Sequence, residues 1–154
     1  VIGESTNIQT GPVIDNTLIN STSNIETVIY TVTATATNSN CAGTPQQVTI
    51  TVNPIPQVTN SGTYSACSGT ALNIPLASNI PSIFSWAATD NPNTTGESTG
   101  PQSSSVINDI ILNTSGINQQ VIYSVTPVSQ PGNCSGSSVN VIADILTPDN
   151  SSFN

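Results

Sequence analysis

Apolar and polar residues alternate along this chain in short bursts. In 120–128, Val121, Tyr123 and Val125 take every second position; in 138–146, Val139, Val141, Ala143 and Ile145 do the same. A period of two marks a strand with one buried face. In 82–88 it sets Ile83, Ser85 and Ala87 on one side and Phe84, Trp86 and Ala88 on the other. The aromatic side is expected to face inward, with Trp86 a core residue rather than a ligand platform. Further strands are predicted at 57–60, 63–67, 71–76 and 106–112. Clusters of Gly, Pro, Asn, Asp and Ser separate them, the longest being 89–103 with Pro92, Gly96, Gly100 and Pro101. No stretch carries a helical period. About seven short strands joined by turns predict an all-β chain, an antiparallel β-sandwich of immunoglobulin-like type rather than a barrel.

The pattern is written twice. Val-Ile-Tyr at 121–123 leads to Asn133-Cys134-Ser135-Gly136, and Val-Ile-Tyr at 28–30 leads to Asn40-Cys41-Ala42-Gly43 at the same spacing. Tyr123 answers Tyr30 and Cys134 answers Cys41, an offset of 93 positions. The match runs without a gap back to Gly3-Glu4-Ser5-Thr6, answered by Gly96-Glu97-Ser98-Thr99, and about a third of the aligned positions are identical. A period this long indicates tandem domains, not a solenoid of short units. Residues 1–53 are therefore expected to be the C-terminal half of one repeat and 54–147 a complete one. Residues 148–154 would be a linker or the start of the next. Pro54-Ile55-Pro56 reads as a stiff joint. The half-repeat should supply the last three strands of its sandwich. Its missing strands would come from upstream sequence, or from another chain by strand addition. The mid-repeat start and the lack of Met lead us to expect an excerpt of a longer polypeptide.

Charge narrows the chemistry. The 154 residues hold eight carboxylates and no Lys, Arg or His, for a net charge of −8. Nucleic acid and direct membrane insertion are not expected: phosphate contacts need Lys and Arg, and no apolar run is long enough to cross a bilayer. The usual bases that activate a Ser or Cys nucleophile are missing, and Walker-type phosphate loops are excluded. The chain is not expected to be an enzyme. Every carboxylate must be solvated, hydrogen-bonded or met by an external cation.

Two groups of residues stand out. Three cysteines become intelligible through the repeat: Cys67 opens the complete unit and Cys134 closes it, so these two are expected to form a structural disulfide at one end of the sandwich. Cys41 would then pair upstream of the chain. Disulfides imply an oxidising, extracellular location. The second group is the acidic loop. Glu97 is the only carboxylate kept in register, as Glu4, and Asp90, Asn91 and Asn93 lie close by. Oxygen ligands of this kind suit Ca²⁺. The competing reading has Glu97 accepting bonds from loop N–H groups while Asp90 and the Asn residues shape turns. No cofactor is required, and calcium is the one candidate.

The combination of Cys67-Ser68-Gly69-Thr70, the Phe84-Ser85-Trp86 strand, Gly96-Glu97-Ser98, and Tyr123-Ser124-Val125-Thr126-Pro127 followed by Asn133-Cys134-Ser135-Gly136 resembles the PKD-like repeat of large Bacteroidota surface proteins. The resemblance covers residues 1–147. It implies membership of a multi-repeat adhesin exported by the type IX secretion system to the bacterial cell surface, as in gliding flavobacteria. On that reading the chain is a structural segment of a long filament. Its partners would be neighbouring repeats, an external surface or polysaccharide, and, through other parts of the parent protein, secretion or motility machinery. The alternatives are a glycan- or surface-binding module working through loop 89–103, and an accessory domain of a secreted hydrolase.

Overall fold

The computed structural model describes residues 1–147, and the expectation for 148–154 lies outside them. The described residues are all-β and divide into two compact units, which meet in sequence at Ile55 and Pro56.

The second unit is an immunoglobulin-like β-sandwich. Its main sheet has four strands: β3 (Thr63–Cys67), β5 (Ser82–Ala88), β9 (Gln119–Ser129) and β10 (Val139–Leu146), in spatial order β3-β10-β9-β5. β10 runs antiparallel to β9 and β9 to β5, whereas β3 lies parallel to β10. The opposing layer is made of fragments. β4 (Ile74–Pro75) pairs with β7 (Val106–Ile107), β6 (Thr94–Thr95) pairs with β8 (Leu112–Asn113), and Ala71 bridges Ile110.

Alternation places the core as expected. Phe84, Trp86 and Ala88 are buried from β5; Val121, Tyr123 and Val125 from β9; Val141, Ala143 and Ile145 from β10. Ile74, Leu76, Ile107 and Ile111 close over them from the fragmented layer. Trp86 is 5 % exposed, meets Tyr123 edge-to-face at 5.7 Å and donates its indole N–H to Ser104 O at 3.0 Å. It is a packing residue with its polar handle satisfied.

Three expected strands come out shorter. In 57–60 only Val58 pairs, by a single bridge to Ser78, and 71–76 reduces to β4 and the bridge at Ala71. The predicted strand 106–112 breaks into β7 and the start of β8; between them the Asp109 carbonyl accepts from Leu72 N at 3.0 Å and its carboxylate accepts from Ser98 and Tyr123.

In the first unit β1 (Glu26–Val32) and β2 (Gln46–Val52) form an antiparallel hairpin in the register of β9 and β10. Of the third strand expected there, the structure has one bridge, Ile19 to Ile2. One face stays open. Val48 and Ile50 are 39 % and 38 % exposed, while their counterparts Val141 and Ala143 are fully buried. A groove of about 500 Å³ runs over this face, lined by Leu18, Tyr30, Val32, Val48 and Ile50 among others.

The expected Cys67–Cys134 bridge is not formed; Cys41, Cys67 and Cys134 are all free thiols. Register gives the reason. Cys67 sits beside Leu146, the last residue of β10, while Cys134 lies in the hairpin before β10 begins, its carbonyl bonded to Ser129 N. The length of β10 separates them, roughly 23 Å at the rise of a strand. A disulfide needs Cα atoms within about 7 Å.

Candidate functional site

Loop 89–103 holds every residue singled out as a calcium ligand. It does not stand free. It folds back along the open edge of β5: Trp86 N and Gln102 N each donate to the other residue's carbonyl, at 3.0 and 2.8 Å, and Ala88 N donates to Ser98 O at 2.8 Å. An edge strand of this kind is a template for unwanted pairing, and covering it is one way proteins suppress that.

The loop's shape depends on Gly96. Its φ is +98°, and the Ile110 carbonyl oxygen sits 2.2 Å from where a Cβ would be. Gly3 repeats this at φ +95° with Thr17 O at 2.0 Å. Only glycine fits either constraint.

Glu97 follows. Its Oε1 accepts from Asn91 N at 3.2 Å and Thr94 Oγ1 at 2.9 Å, as the turn-forming reading expects. Its Oε2 is buried with no hydrogen-bond partner. Asn91 Oδ1 accepts from Asn93 N at 2.9 Å, and Asn91 Nδ2 donates to Gln120 O at 2.9 Å, tying the loop to β9. Asn93 Nδ2 donates to Gln119 Oε1, and Asp90 is exposed. So Glu97, Asn91 and Asn93 share one turn, while no hydrogen bond links the Asp90 carboxylate to the other three. No group of three His, Cys, Asp or Glu side chains is gathered among the described residues.

Two residues that matter here drew no attention in the sequence. Asp109 accepts from Ser98 N and Ser98 Oγ, both at 2.7 Å, and from Tyr123 OH at 2.9 Å. Burial, then the bond to Asp109, then the charges of Asp109 and Glu97 hold the Tyr123 hydroxyl well above its ordinary pKa of 10.0. Tyr123 is thus a fixed donor, not a proton carrier. In the first unit Asn16 stands at the position of Asp109. It bonds Ser5 Oγ at 2.7 Å, and the Tyr30 hydroxyl is buried without a partner.

The other is Asn113. Its Nδ2 donates to Ile117 O at 2.8 Å and Ile145 O at 3.2 Å, and its Oδ1 accepts from Ser115 N at 2.9 Å. Asn20 does the same with Asn24 O at 2.7 Å, Val52 O at 2.8 Å and Thr22 N at 2.9 Å. This staple ties the turn before β9 or β1 to the end of the last strand. Its signal was present in the sequence: Asn is identical in both copies.

A sequence model of the PKD-like domain matches residues 1–56 and again 64–149, nearly the whole chain. The chain belongs to the PKD-like domain family. Among curated proteins the sequence has no match. PKD-like domains are immunoglobulin-like β modules that serve generally as structural or adhesive repeats rather than as catalysts, and the paired Gly, Asn and hairpin geometry of the two units is repeat geometry of that kind.

Proposed function

We propose that this chain is a structural repeat segment of a long bacterial surface filament, an adhesin carried outside the outer membrane by the type IX secretion system and serving adhesion and gliding. Residues 1–53 are the C-terminal half of one repeat and 54–147 a complete one. The observation that carries the reading is the recurrence of one staple, Asn20 to Val52 O and Asn113 to Ile145 O, at the same register in two units. Tandem arrays build reach from identical joints, and each repeat contacts mainly its neighbours. A net charge of −8 without a single Lys or Arg keeps such filaments soluble and mutually repelling, and leaves no site for trypsin. The backbone of loop 89–103 is paired with β5, and its Asn91, Asn93 and Thr94 side chains are spent on its own turn and on β9, which suits a scaffold better than a ligand-binding loop. Antibody raised against the second unit tests this on intact cells. Gold label standing away from the cell envelope, lost when the secretion system is deleted, is the expected result. Label that appears only after lysis would overturn it.

One atom favours a second role for the loop. Glu97 Oε2 is buried and unbonded, and a calcium ion would meet it with Asn91 and Asn93 in the same turn. Calcium binds through six to eight oxygens and stabilises whatever state holds it. A higher melting temperature on adding millimolar calcium to a chelated sample would assign it here; an unchanged curve would leave Glu97 a turn former only.

A further inference from the structure

We propose that the outer edge of β3 is a strand-pairing surface for a second copy of this chain, joining the main sheets of two molecules across a two-fold axis at Ser65.

The main sheet treats its two edges differently. On β5 the open side is covered by loop 89–103, through the bonds of Trp86 with Gln102 and of Ala88 with Ser98. At the other edge β3 has β10 as its one strand neighbour among the described residues. Gly62 O accepts from Ile142 N at 2.9 Å and Ser68 N donates to Leu146 O at 3.0 Å, so both residues face β10. Successive residues of a strand turn their backbone groups to opposite sides. Tyr64 and Ala66 therefore face β10 as well, and Thr63, Ser65 and Cys67 present N–H and C=O to the open side. These three residues are exposed. Among the described residues no hydrogen bond reaches the backbone of Thr63 or Ser65 from that side.

The edge is rigid before any partner arrives. Tyr64 packs on the core, and its hydroxyl donates to Asn60 O at 2.9 Å. Thr70 N and Oγ1 donate to Cys67 O at 3.1 and 2.7 Å, which fixes the far end. Pairing with a strand held in this way costs little further ordering.

Three properties select a second copy as the occupant. The first is charge. No residue between Glu26 and Asp90 carries any, so the edge lacks the Lys or inward-pointing charge that commonly blunts exposed strands. The second is register. Set antiparallel about Ser65, each Ser65 exchanges N–H and C=O with its counterpart, and each Cys67 N–H meets the other copy's Thr63 O. The third is that the repulsion between two chains of net charge −8 can be screened. The carboxylate beside Ser65 is Asp144, on β10. Across the seam the two Asp144 residues lie three strand spacings apart, about 14 Å. The screening length is about 30 Å in 10 mM salt and about 3 Å in 1 M, so low salt opposes pairing and high salt releases it. The pairing stands on this unit alone. Its multiplication by avidity between two filaments rests on the tandem-repeat reading.

Sedimentation equilibrium of the full chain at about 1 mM, with a reductant to prevent disulfides, tests the seam. The wild type should dimerise more tightly in 1 M than in 10 mM NaCl. Ser65→Pro removes an N–H that faces outward, so β10 keeps its ladder, and native Trp86 fluorescence checks the fold. The variant's dimer should be at least about tenfold weaker. A spin label on Cys67, in a chain with Cys41→Ser and Cys134→Ser, reads the register without the Pro variant. Pairing about Ser65 sets the two Cys67 Cα atoms roughly 15 Å apart, and the nitroxides within roughly 30 Å. A chain that stays monomeric in 1 M NaCl, a dimer that folded Ser65→Pro leaves unchanged, or labels farther apart would overturn the proposal. None of these results bears on where the protein is displayed, so failure of the filament reading shows separately, in the labelling of intact cells.

Discussion

At the scale of single residues, the bond from Tyr123 to Asp109 is the most exposed to test. A hydrogen bond to a charged acceptor contributes about 1.5–3 kcal/mol, so Tyr123→Phe should lower the free energy of unfolding by about that much, followed through Trp86 in urea. Because the folded-state pKa of Tyr123 is raised, the stability it contributes is full below pH 10.0 and declines as pH rises beyond that value. The wild-type chain should then lose about 1.4 kcal/mol per pH unit more than Tyr123→Phe does. Parallel pH profiles for the two would refute the shift. Gly96 offers a second contrast. With φ at +98° and a carbonyl oxygen in the space of its Cβ, Gly96→Ala should cost more than about 2 kcal/mol. Gly100, with nothing within 4 Å of its Cβ position, should tolerate Ala within about 0.5 kcal/mol in the same urea titration.

Elements differ in how far they could be foreseen. The strands β3 and β5 have the boundaries that alternation predicts, and β9 and β10 differ from theirs by a residue at an end or two, since each keeps period two across one buried face. The fragmented layer was legible only in outline: 71–76 and 106–112 read as strands, but their breaks and β6 did not. Its ladders are two residues long, too short for a period, and its path is set by side chains such as Asp109 and Asn113 bonding across the sequence. Loop 89–103 was legible in part: its turn residues and the role of Glu97 could be read, but nothing local reveals that Gln102 pairs with Trp86. Asn113 shows what a staple is worth. Asn113→Ala should cost about 1–3 kcal/mol through two unmet carbonyls. Asn113→Asp should cost more, because it replaces the donor with oxygens facing Ile117 O and Ile145 O. Equal stability of Asp and Asn in urea unfolding would show that the staple does not bear on the fold.

For the whole molecule, the cysteines show where sequence parity misleads. Pairing the first and last cysteine of a repeat assumes that the ends of a domain in sequence are neighbours in space. In this fold β3 lies parallel to β10, so Cys67 lines up with the end of β10 and Cys134 with its beginning. The two units also predict unequal stability from closely related strands. β9 and β10 contribute Val121, Tyr123, Val125, Val141, Ala143 and Ile145 to a closed core. β1 and β2 carry the same register but leave Val48 and Ile50 more than a third exposed. A hairpin with one uncovered apolar face opens easily in water, whereas core strands open only with the whole domain. Amide hydrogen exchange on the full chain should therefore protect Val121–Val125 and Val141–Ile145 at least about a hundredfold more than Val28–Val32 and Val48–Val52. Adding a polypeptide with the sequence of 56–90, the half that covers the equivalent face in the second unit, should raise protection in β1 and β2 if the open groove accepts strands of that kind. Equal protection of both hairpins in the chain alone would mean that β1 and β2 draw stability from something other than a core of their own.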